Sequence, residues 1–461
     1  MKNLVLITVD CLRYDALSPE TAPNIMQLAE KGLFFERAYS LGCWTAPSLV
    51  GLLTSSYPLM YNGELVIKYP RVSIAQILHK NGYSTAGFTF HPYLSKQFGY
   101  HKGFDAYFDD IDEISNEHAI INRSRWEQLA IIATKMKKAR LLRPIYSHLA
   151  NRIYLHSLKH KLSEDFKFYV SGSQINELVI DWIKSHKEPF FVWIHYLDTH
   201  FPYIPEEDWD KREIIELNIE RERWFRLNKP VNPEKLERLK QLYLTKVSDA
   251  DRYIGNLIRE FKKMGLYKDT VFVITADHGE EFYEHGGFHH DLKLYEELIH
   301  VPLIIFGDRI RSRKIKRVVS HIDLAPTLLD FLDIKKPLEW IGANMLLKKD
   351  SVAIIEEGQK ERGDARQGSI FKLNLNAKKI AIVKGDWKYI YSKTQEEELY
   401  NLREDPREQK NLITSKNREY RHVLENMRKV LRYHLEMIST RQERILTKRI
   451  LKQMIMKNGG D

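Results

Sequence analysis

Short apolar runs alternate with helix-like segments along most of the first 335 residues. Strand-like runs occupy positions 2–9, 33–40, 84–90, 189–195, 270–276 and 301–306. Apolar residues recur at helical spacing over 22–31, 73–81, 177–186, 233–264 and 324–332. Because strand, helix and strand in succession build parallel sheets, this order predicts an α/β fold with a mostly parallel central sheet sandwiched by helices. The strands are apolar at successive positions, as expected of a sheet covered on both faces.

Two charged segments interrupt the alternation, and the pattern changes near the C-terminus. Residues 111–167 and 205–232 have the composition of helical insertions, which commonly shape the mouth of an active site. Short strands are expected at 378–384 and 386–392, followed by a charged helix. The sequence therefore predicts a catalytic α/β domain over 1–335, a small α+β C-terminal subdomain over 336–415 and a basic helical tail over 416–461.

The composition is that of a globular protein. The chain has 461 residues, of which 43% are hydrophobic, and its apolar runs stay far below the roughly 18 residues of a membrane-spanning helix. The N-terminus shows no signal-peptide pattern, and the two cysteines, Cys11 and Cys43, form no disulfide framework or metal motif. These features predict a cytoplasmic protein with reduced thiols.

The basic charge is concentrated in the tail. The net charge is +10, and residues 416–457 contribute twelve Lys or Arg against four Glu, a difference of +8. Apolar residues at helical spacing in the tail favour packing against the core or in a dimer, with peripheral contact to an anionic membrane as the alternative. No nucleic-acid-binding module accompanies the tail, so no nucleic-acid partner is expected. The oligomeric state is left open.

Candidate chemistry lies where predicted strands end. Asp10 follows the first strand, Asp198 and His200 follow the strand that ends at His195, and Asp277 and His278 follow the strand at 270–276. Each residue alone has an ordinary structural interpretation, such as a turn cap. Because parallel strands direct their carboxyl ends to one crevice, together they predict a site for a divalent ion, Zn²⁺, Mn²⁺, Mg²⁺ or Ca²⁺.

A hydroxyl nucleophile is expected at Thr45. Thr45 and Pro47 precede a short helical run, where Thr45 would sit at or just before the N-cap. Its hydroxyl would face the positive end of the helix dipole, a natural position for an anion. An ordinary capping role is the alternative.

The motifs resemble those of the sulfatase family, within the alkaline phosphatase superfamily, over roughly residues 1–415. The matching stretches are Asp10, Thr45-Ala46-Pro47-Ser48, Asp277-His278-Gly279-Glu280, Glu284-His285-Gly286, Tyr295-Glu296-Glu297, Val301-Pro302-Leu303, Ile322-Asp323-Leu324-Ala325-Pro326-Thr327, Gly385-Asp386-Trp387-Lys388-Tyr389, Leu399-Tyr400 and Asp405-Pro406.

The resemblance implies roles for individual residues. The principal ion would be held by Asp10, Thr45, Asp277 and His278. His200 and His290 would contact the transferred group or the leaving oxygen, as catalytic and substrate-binding residues. A second ion, if bound, would use Asp198, His200 and His290, with His195 as a further ligand. Arg13 would reach an anionic substrate or, alternatively, pair with Asp15.

One departure from the family changes the expected reaction. Sulfatases of the formylglycine type carry Cys or Ser at the nucleophile position and Arg four residues later, whereas this chain has Thr45 and Leu49. Threonine cannot be oxidised to an aldehyde. The sequence therefore predicts a metal-dependent hydrolase or phosphotransferase that acts on a phosphoester of an anionic small molecule, lipid or glycan through a covalent Thr45 intermediate. The alternatives are a sulfatase on the same site and a non-catalytic module that binds anionic glycan or membrane.

Overall fold

The central sheet and its flanking elements are defined in a computed structural model, which describes residues 2–109, 143–164, 168–206, 209–290, 292–348, 352–361 and 372–458. The strands are β1 (Asn3–Val9), β2 (Leu33–Tyr39), β3 (Ser84–Thr89), β4 (Ala106–Phe108), β5 (Phe190–Tyr196), β6 (Thr270–Ala276), β7 (Glu281–Phe282), β8 (Phe288–His289), β9 (His300–Phe306), β10 (Arg313–Ser320), β11 (Val352–Glu361), β12 (Lys372–Lys384), β13 (Trp387–Ser392) and β14 (Glu398–Asn401). The helices are α1 (Pro23–Lys31), α2 (Thr45–Thr54), α3 (Ile74–Lys80), α4 (Arg143–Ser163), α5 (Gly172–Ser185), α6 (Lys211–Leu227), α7 (Pro233–Lys263), α8 (Glu296–Ile299), α9 (Leu324–Phe331) and α10 (Arg418–Asn458).

Eight strands form one sheet in the order β10-β2-β9-β6-β1-β5-β3-β4. All neighbours pair in parallel except β9, which is antiparallel to both β2 and β6. The predicted α/β fold with a mostly parallel sheet is confirmed. Strands β4 and β10 were not predicted, since β4 has three residues and β10 is rich in Lys and Arg on its exposed side.

Both faces of the sheet are covered, as the continuous apolar strands predict. In β1, Leu4 and Leu6 enter one hydrophobic core while Val5 and Ile7 enter the other, and all four are 0% exposed. Alternation along the strand sends successive side chains to opposite faces, so a strand buried on both sides needs apolar residues throughout. This arrangement fixes β1 in the middle of the molecule.

Helix α5 shows why one predicted boundary was wrong. The prediction began this helix at 177, whereas it begins at Gly172. Ser171 accepts a hydrogen bond from the Gln174 amide, and the Gln174 side chain accepts one from the Ser171 amide. This reciprocal capping satisfies N–H groups that the first helical turn leaves free, and it starts the helix before its apolar face begins.

The two predicted insertions contain helices that pack on each other. Part of the 111–167 insertion lies outside the described residues, and the rest forms α4, which packs against α6 of the 205–232 insertion. Asp210 caps α6 by accepting hydrogen bonds from the Arg212 and Glu213 amides. The insertions thus form a helical layer that also contacts α7.

The C-terminal part is an antiparallel sheet, β11-β12-β13-β14, covered by α10. Leu424, Met427, Leu431 and Ile438 of α10 are buried in a core shared with Ile380. The predicted core packing is therefore present in the first half of the tail helix, while Leu446, Ile450 and Leu451 are 60%, 47% and 53% exposed. The domain limits at 335 and 415 stay predictions. Within the described residues, none of the helices is long and apolar enough to cross a membrane.

Candidate active site

Three adjacent strands deliver acidic and imidazole groups to one end of the sheet. Strand β1 lies between β6 and β5 and runs parallel to both, so Asp10 lies beside the Asp277-His278 step and beside His195. Asp10, Asp277, His278 and His195 are all 0% exposed. The expected convergence of strand ends is what the fold shows.

Thr45 is the first residue of α2, and the N-cap is Trp44. Among the described residues, the hydrogen-bond partners of the Thr45 hydroxyl are Nε2 of His278, at 3.3 Å, and Oδ2 of Asp10, at 3.5 Å, and not a backbone N–H of the helix. The prediction placed Thr45 at the N-cap or just before it, whereas Thr45 is the first residue of the helix, one position after the N-cap. Because the hydroxyl is not used at the helix end, it is free to act within the acidic cluster.

The tautomer of His278 follows from its surroundings. Its Nδ1 lies 2.7 Å from the carbonyl oxygen of Gly279, which can only accept, so Nδ1 donates. In the neutral ring, Nε2 then carries a lone pair, 3.4 Å from Oδ2 of Asp277 and 3.7 Å from Oδ1 of Asp10. Oδ2 of Asp277 is buried and has no hydrogen-bond partner among the described residues. Lone pairs that face one another in this way are stabilised by a cation between them.

The spacing of these donors fits a divalent ion. Ligand atoms about 2.05 Å from a tetrahedral ion lie about 3.3 Å from one another. Nε2 of His278 lies 3.3 Å from Thr45 Oγ1, 3.4 Å from Oδ2 of Asp277 and 3.7 Å from Oδ1 of Asp10, and the other Asp10 oxygen, Oδ2, lies 3.5 Å from Thr45 Oγ1. One ligand atom each of Asp10, His195 and Asp277 also lies within 4.8 Å of the other two.

The two carboxylates differ in proton affinity. Burial raises the pKa of Asp10, but the imidazoles of His200, His195 and His278 more than offset it, so the pKa lies well below its ordinary value. Burial and the negative charge of Asp10 hold the pKa of Asp277 well above its ordinary value. Without a cation, the pair therefore favours a single negative charge.

Several imidazole rings lie close to the Oδ2 atom of Asp10. Nε2 of His195 lies 3.2 Å and Nε2 of His91 lies 3.8 Å from Oδ2 of Asp10. The His200 ring lies edge-on to His91 and tilted to His290, with ring centroids 6.2 and 5.9 Å away. The structure thus brings the predicted His200 and His290 into the cluster.

His91 was not predicted, although it follows the end of β3, the same signal that identified Asp10. Its Nδ1 accepts a hydrogen bond from the Tyr93 amide, so Nε2 of the neutral ring carries the proton and faces Asp10. Burial lowers the pKa of His91 to about 3. His91 is therefore a neutral donor toward the Asp10 carboxylate.

Asp198 is not placed with the second-ion set. Among the described residues, the triplets whose ligand atoms lie within 4.8 Å of one another include His200 and His290 but not Asp198. Asp198 instead faces Lys246, at 3.6 Å, on α7. The structure does not bring Asp198 together with His200 and His290, because the turn after β5 directs Asp198 to the helix and His200 to the cluster. The second ion itself stays a prediction.

Arg13 forms the ion pair with Asp15 that the sequence analysis gave as the alternative to substrate binding. Its guanidinium pairs with Asp15 at 2.6 Å and with Glu284 at 2.7 Å, and it also donates to the carbonyl oxygen of Glu280. These acceptors occupy Nε, Nη1 and Nη2. The structure therefore shows Arg13 in the ion-pair alternative, and its contact with an anionic substrate stays a prediction.

The loop that precedes Thr45 is held by a residue from the C-terminal sheet. Glu357 of β11 accepts hydrogen bonds from the Trp44 indole at 2.9 Å, from the Cys43 thiol at 2.9 Å and from the Cys43 amide at 3.3 Å. Glu357 is 1% exposed. No sequence signal connects a glutamate more than three hundred residues away to this loop.

Comparisons with known proteins agree with this geometry. Residues 2–334 match the family model described as sulfatase, and residues 283–436 match that of N-sulphoglucosamine sulphohydrolase, C-terminal. An arylsulfatase from Clostridium perfringens is 26% identical over 472 aligned residues, which cover 94% of each chain. Mouse (Mus musculus) arylsulfatase K is 29% identical over 184 residues, 39% of this chain and 33% of that protein. The match thus spans about a third of the length of that relative.

Solved structures share the whole architecture. The phosphonate monoester hydrolase of Agrobacterium radiobacter superposes with a TM-score of 0.66 at 19% identity, covering 95% of this chain and 96% of that one. At that identity the likeness concerns the fold. With the family model matched over most of the chain, the chain belongs to the sulfatase family.

Proposed function

We propose that this protein is a metal-dependent phosphoester hydrolase or phosphotransferase in which Thr45 is the nucleophile. The observation that carries the proposal is the position of the Thr45 hydroxyl, which lies within 3.5 Å of both Asp10 and His278 instead of capping its helix. When bound there, a divalent ion lowers the pKa of a neighbouring hydroxyl and polarises the phosphoryl group.

Thr45 and the N-terminus of α2 would carry out the covalent step. Thr45 Oγ1 forms a bond to phosphorus as the bond to the leaving alcohol breaks, and the hydroxyl proton passes to solvent. The first-turn N–H groups of α2 lack intrahelical acceptors and lie at the same end of the helix as this oxygen, where they stabilise negative charge. Water or an acceptor alcohol then attacks phosphorus, the bond to Thr45 breaks, and the hydroxyl regains its proton.

His200 is the better placed proton donor for the leaving alcohol. Burial, together with the nearby His278 and His200 rings, lowers the pKa of His290 well below its ordinary value, so His290 stays neutral. His200 holds its Nδ1 against the carbonyl oxygen of Phe201 at 2.6 Å and the hydroxyl of Tyr169 at 2.7 Å, which orients the ring. Because the carbonyl oxygen of Phe201 can only accept, Nδ1 carries a proton, and the ring donates from Nε2 to the leaving alcohol when it is doubly protonated.

Threonine at position 45 favours phosphoesters over sulfate esters, because it cannot form the aldehyde hydrate that the formylglycine mechanism requires. A sulfate ester remains the second candidate, favoured by the arylsulfatase relative that is similar over 94% of its length. Side-by-side assays of an aryl sulfate, a phosphomonoester and a phosphodiester with several divalent ions separate the two. Hydrolysis of the aryl sulfate alone would overturn the phosphoester proposal.

The covalent step has its own test. Quenching a phosphodiester reaction with acid and digesting the protein should give a peptide in which Thr45 carries the phosphoryl group together with the alcohol that did not leave; with a phosphomonoester substrate the same peptide should carry one phosphate. A substrate turned over without phosphate on the peptide that carries Thr45 contradicts the nucleophile assignment.

A further inference from the structure

The thiol of Cys11 lies inside the same cluster as the acidic ligands. Cys11 is 0% exposed, and its Sγ lies 3.0 Å from Oδ1 of Asp10 and 3.9 Å from Nδ1 of His290. Ring nitrogens of His278 and His290 and the Cys11 sulfur all come within 4.8 Å of one another. A sulfur ligand and a nitrogen ligand of one tetrahedral zinc ion lie about 3.5 Å apart, so these distances suit a shared ion.

The backbone holds this thiol in place. Cys11 has φ of 60°, in the left-handed region that non-glycine residues rarely adopt. Its amide donates to Oδ1 of Asp277 at 3.3 Å, and its carbonyl oxygen accepts a hydrogen bond from the Tyr243 hydroxyl at 2.9 Å. These contacts on either side maintain a conformation in which the side chain reaches the carboxylates.

A second observation points independently to a cation here. Oδ2 of Asp277 is fully buried without a hydrogen-bond partner among the described residues, and it lies 3.4 Å from the lone-pair nitrogen of His278. Calcium and magnesium take oxygen ligands, whereas thiolate and imidazole suit zinc. The donor set of Cys11, His278 and His290 beside two carboxylates contains sulfur and nitrogen as well as oxygen.

We propose that Cys11 is a thiolate ligand of the ion in this site, and that it makes the site selective for Zn²⁺ over Ca²⁺ and Mg²⁺. On binding, the Cys11 thiol releases its proton to solvent and the sulfur joins the ligand set. The proposal rests on the proposed function only in taking the same cluster as the metal site.

Cobalt substitution tests the ligand directly in the full chain. A thiolate bound to Co²⁺ gives an intense near-ultraviolet charge-transfer band that oxygen and nitrogen ligands do not give. The chain has two cysteines, so Cys43→Ser is a matched control that leaves Cys11 as the remaining thiol. We expect the band in the wild-type protein and in Cys43→Ser, and its loss in Cys11→Ser.

Selectivity is measured on the same proteins by titrating metal-free samples with Zn²⁺ and Ca²⁺. Cys11→Ser should lower the affinity for Zn²⁺ relative to Ca²⁺ by at least about tenfold. Loss of a residue that only hydrogen-bonds to a metal ligand already lowers metal affinity by about tenfold or more, so loss of a ligand should cost at least as much. If Cys11→Ser does not fold, the band in Cys43→Ser alone assigns the sulfur to Cys11.

The outcomes separate this inference from the proposed function. The role of Cys11 is overturned if the wild-type protein binds Co²⁺ without a thiolate band, or if every variant prefers Ca²⁺ to Zn²⁺. In both cases the metal site of the proposed function is unaffected. A wild-type protein that binds no divalent ion overturns both.

Discussion

The hydroxyl oxygen of Thr45 lies 3.3 Å from Nε2 of His278, although the two residues are 233 positions apart in the chain. The contact joins the first residue of α2 to the end of β6, and Asp10 lies against both. One consequence is that chemistry at Thr45 depends on the protonation and ligand state of groups from three separate elements.

Replacing the nucleophile should remove turnover without unfolding the protein. We expect Thr45→Ala to lower kcat by on the order of 10⁴ or more, as for other enzymes that lose their nucleophile. Because the Thr45 hydroxyl does not cap α2, the melting temperature should change little. Initial rates on a phosphodiester and thermal unfolding measure the two effects. Thr45→Ser, which keeps a hydroxyl, is the control; equal rates in Thr45→Ala and wild type would remove Thr45 from the mechanism.

Removing the metal should abolish activity and lower stability. Asp10 and Asp277 are both fully buried, so a bound cation stabilises the folded state, by about 2.7 kcal/mol when its concentration is a hundred times Kd. Chelator-treated protein should therefore unfold at a lower temperature and recover on adding the ion back. In Asp277→Asn the thermal shift on adding metal should largely disappear. An unchanged shift in that variant would exclude Asp277 as a ligand.

The Asp198 carboxyl should make the folded protein less stable as pH rises. Burial raises its pKa to about 6, with Lys246 offsetting part of the effect and Asp249 and Glu206 adding to it. A folded-state pKa above the unfolded one gives stability below about pH 4 that is lost as pH rises through about 6, here roughly 2–3 kcal/mol. In Asp198→Asn this loss should be absent, as measured by urea unfolding at pH 4 and pH 7.5.

The same variant tests whether Asp198 is a ligand of a second ion. Since Asp198 faces Lys246, Asp198→Asn should leave the metal content unchanged. Asp181→Asn, at an exposed carboxyl, is the control for general charge effects. A fall in bound metal in Asp198→Asn alone would return Asp198 to the ligand set.

Glu357 should matter for activity although it lies outside the cluster. Glu357→Ala leaves the Trp44 indole N–H without this acceptor, a loss of about 1–3 kcal/mol for a buried donor. The loop that positions Thr45 should loosen, so kcat should fall while metal affinity is kept. Kinetics and metal titration on this variant and on the exposed Glu404→Gln give the comparison. A wild-type kcat together with a lowered melting temperature would limit Glu357 to a structural role.

The tail helix offers a prediction about partners. Its first half packs on the C-terminal sheet, while Leu446, Ile450 and Leu451 beyond Thr440 are exposed among basic residues. If this end contacts an anionic membrane surface, deleting residues after Thr440 should weaken sedimentation with phosphatidylserine vesicles, and added salt should weaken binding of the full chain. Equal sedimentation of both proteins at low salt would exclude this contact.

The sequence by itself determined the sheet, most of its strands and the residues at their ends. Apolar runs such as 270–276 are local signals, and parallel strands must direct Asp10 and Asp277 to one edge, so the convergence of these carboxylates followed from order along the chain. The principal ligand set came from the family resemblance and stays a prediction. His91 could have been found by the same rule, because it follows β3.

Only the tertiary structure showed the contacts of Arg13, Asp198, Cys11 and Glu357. A charged side chain takes the nearest partner in space, so Arg13 pairs with Glu284 and Asp198 with Lys246, and neither neighbour is visible from spacing in the chain. Cys11 and Glu357 reach the site through a backbone turn and a strand from the C-terminal sheet. Periodicity reports which face of an element is buried, whereas contacts between elements depend on how the sheet and its helices pack together.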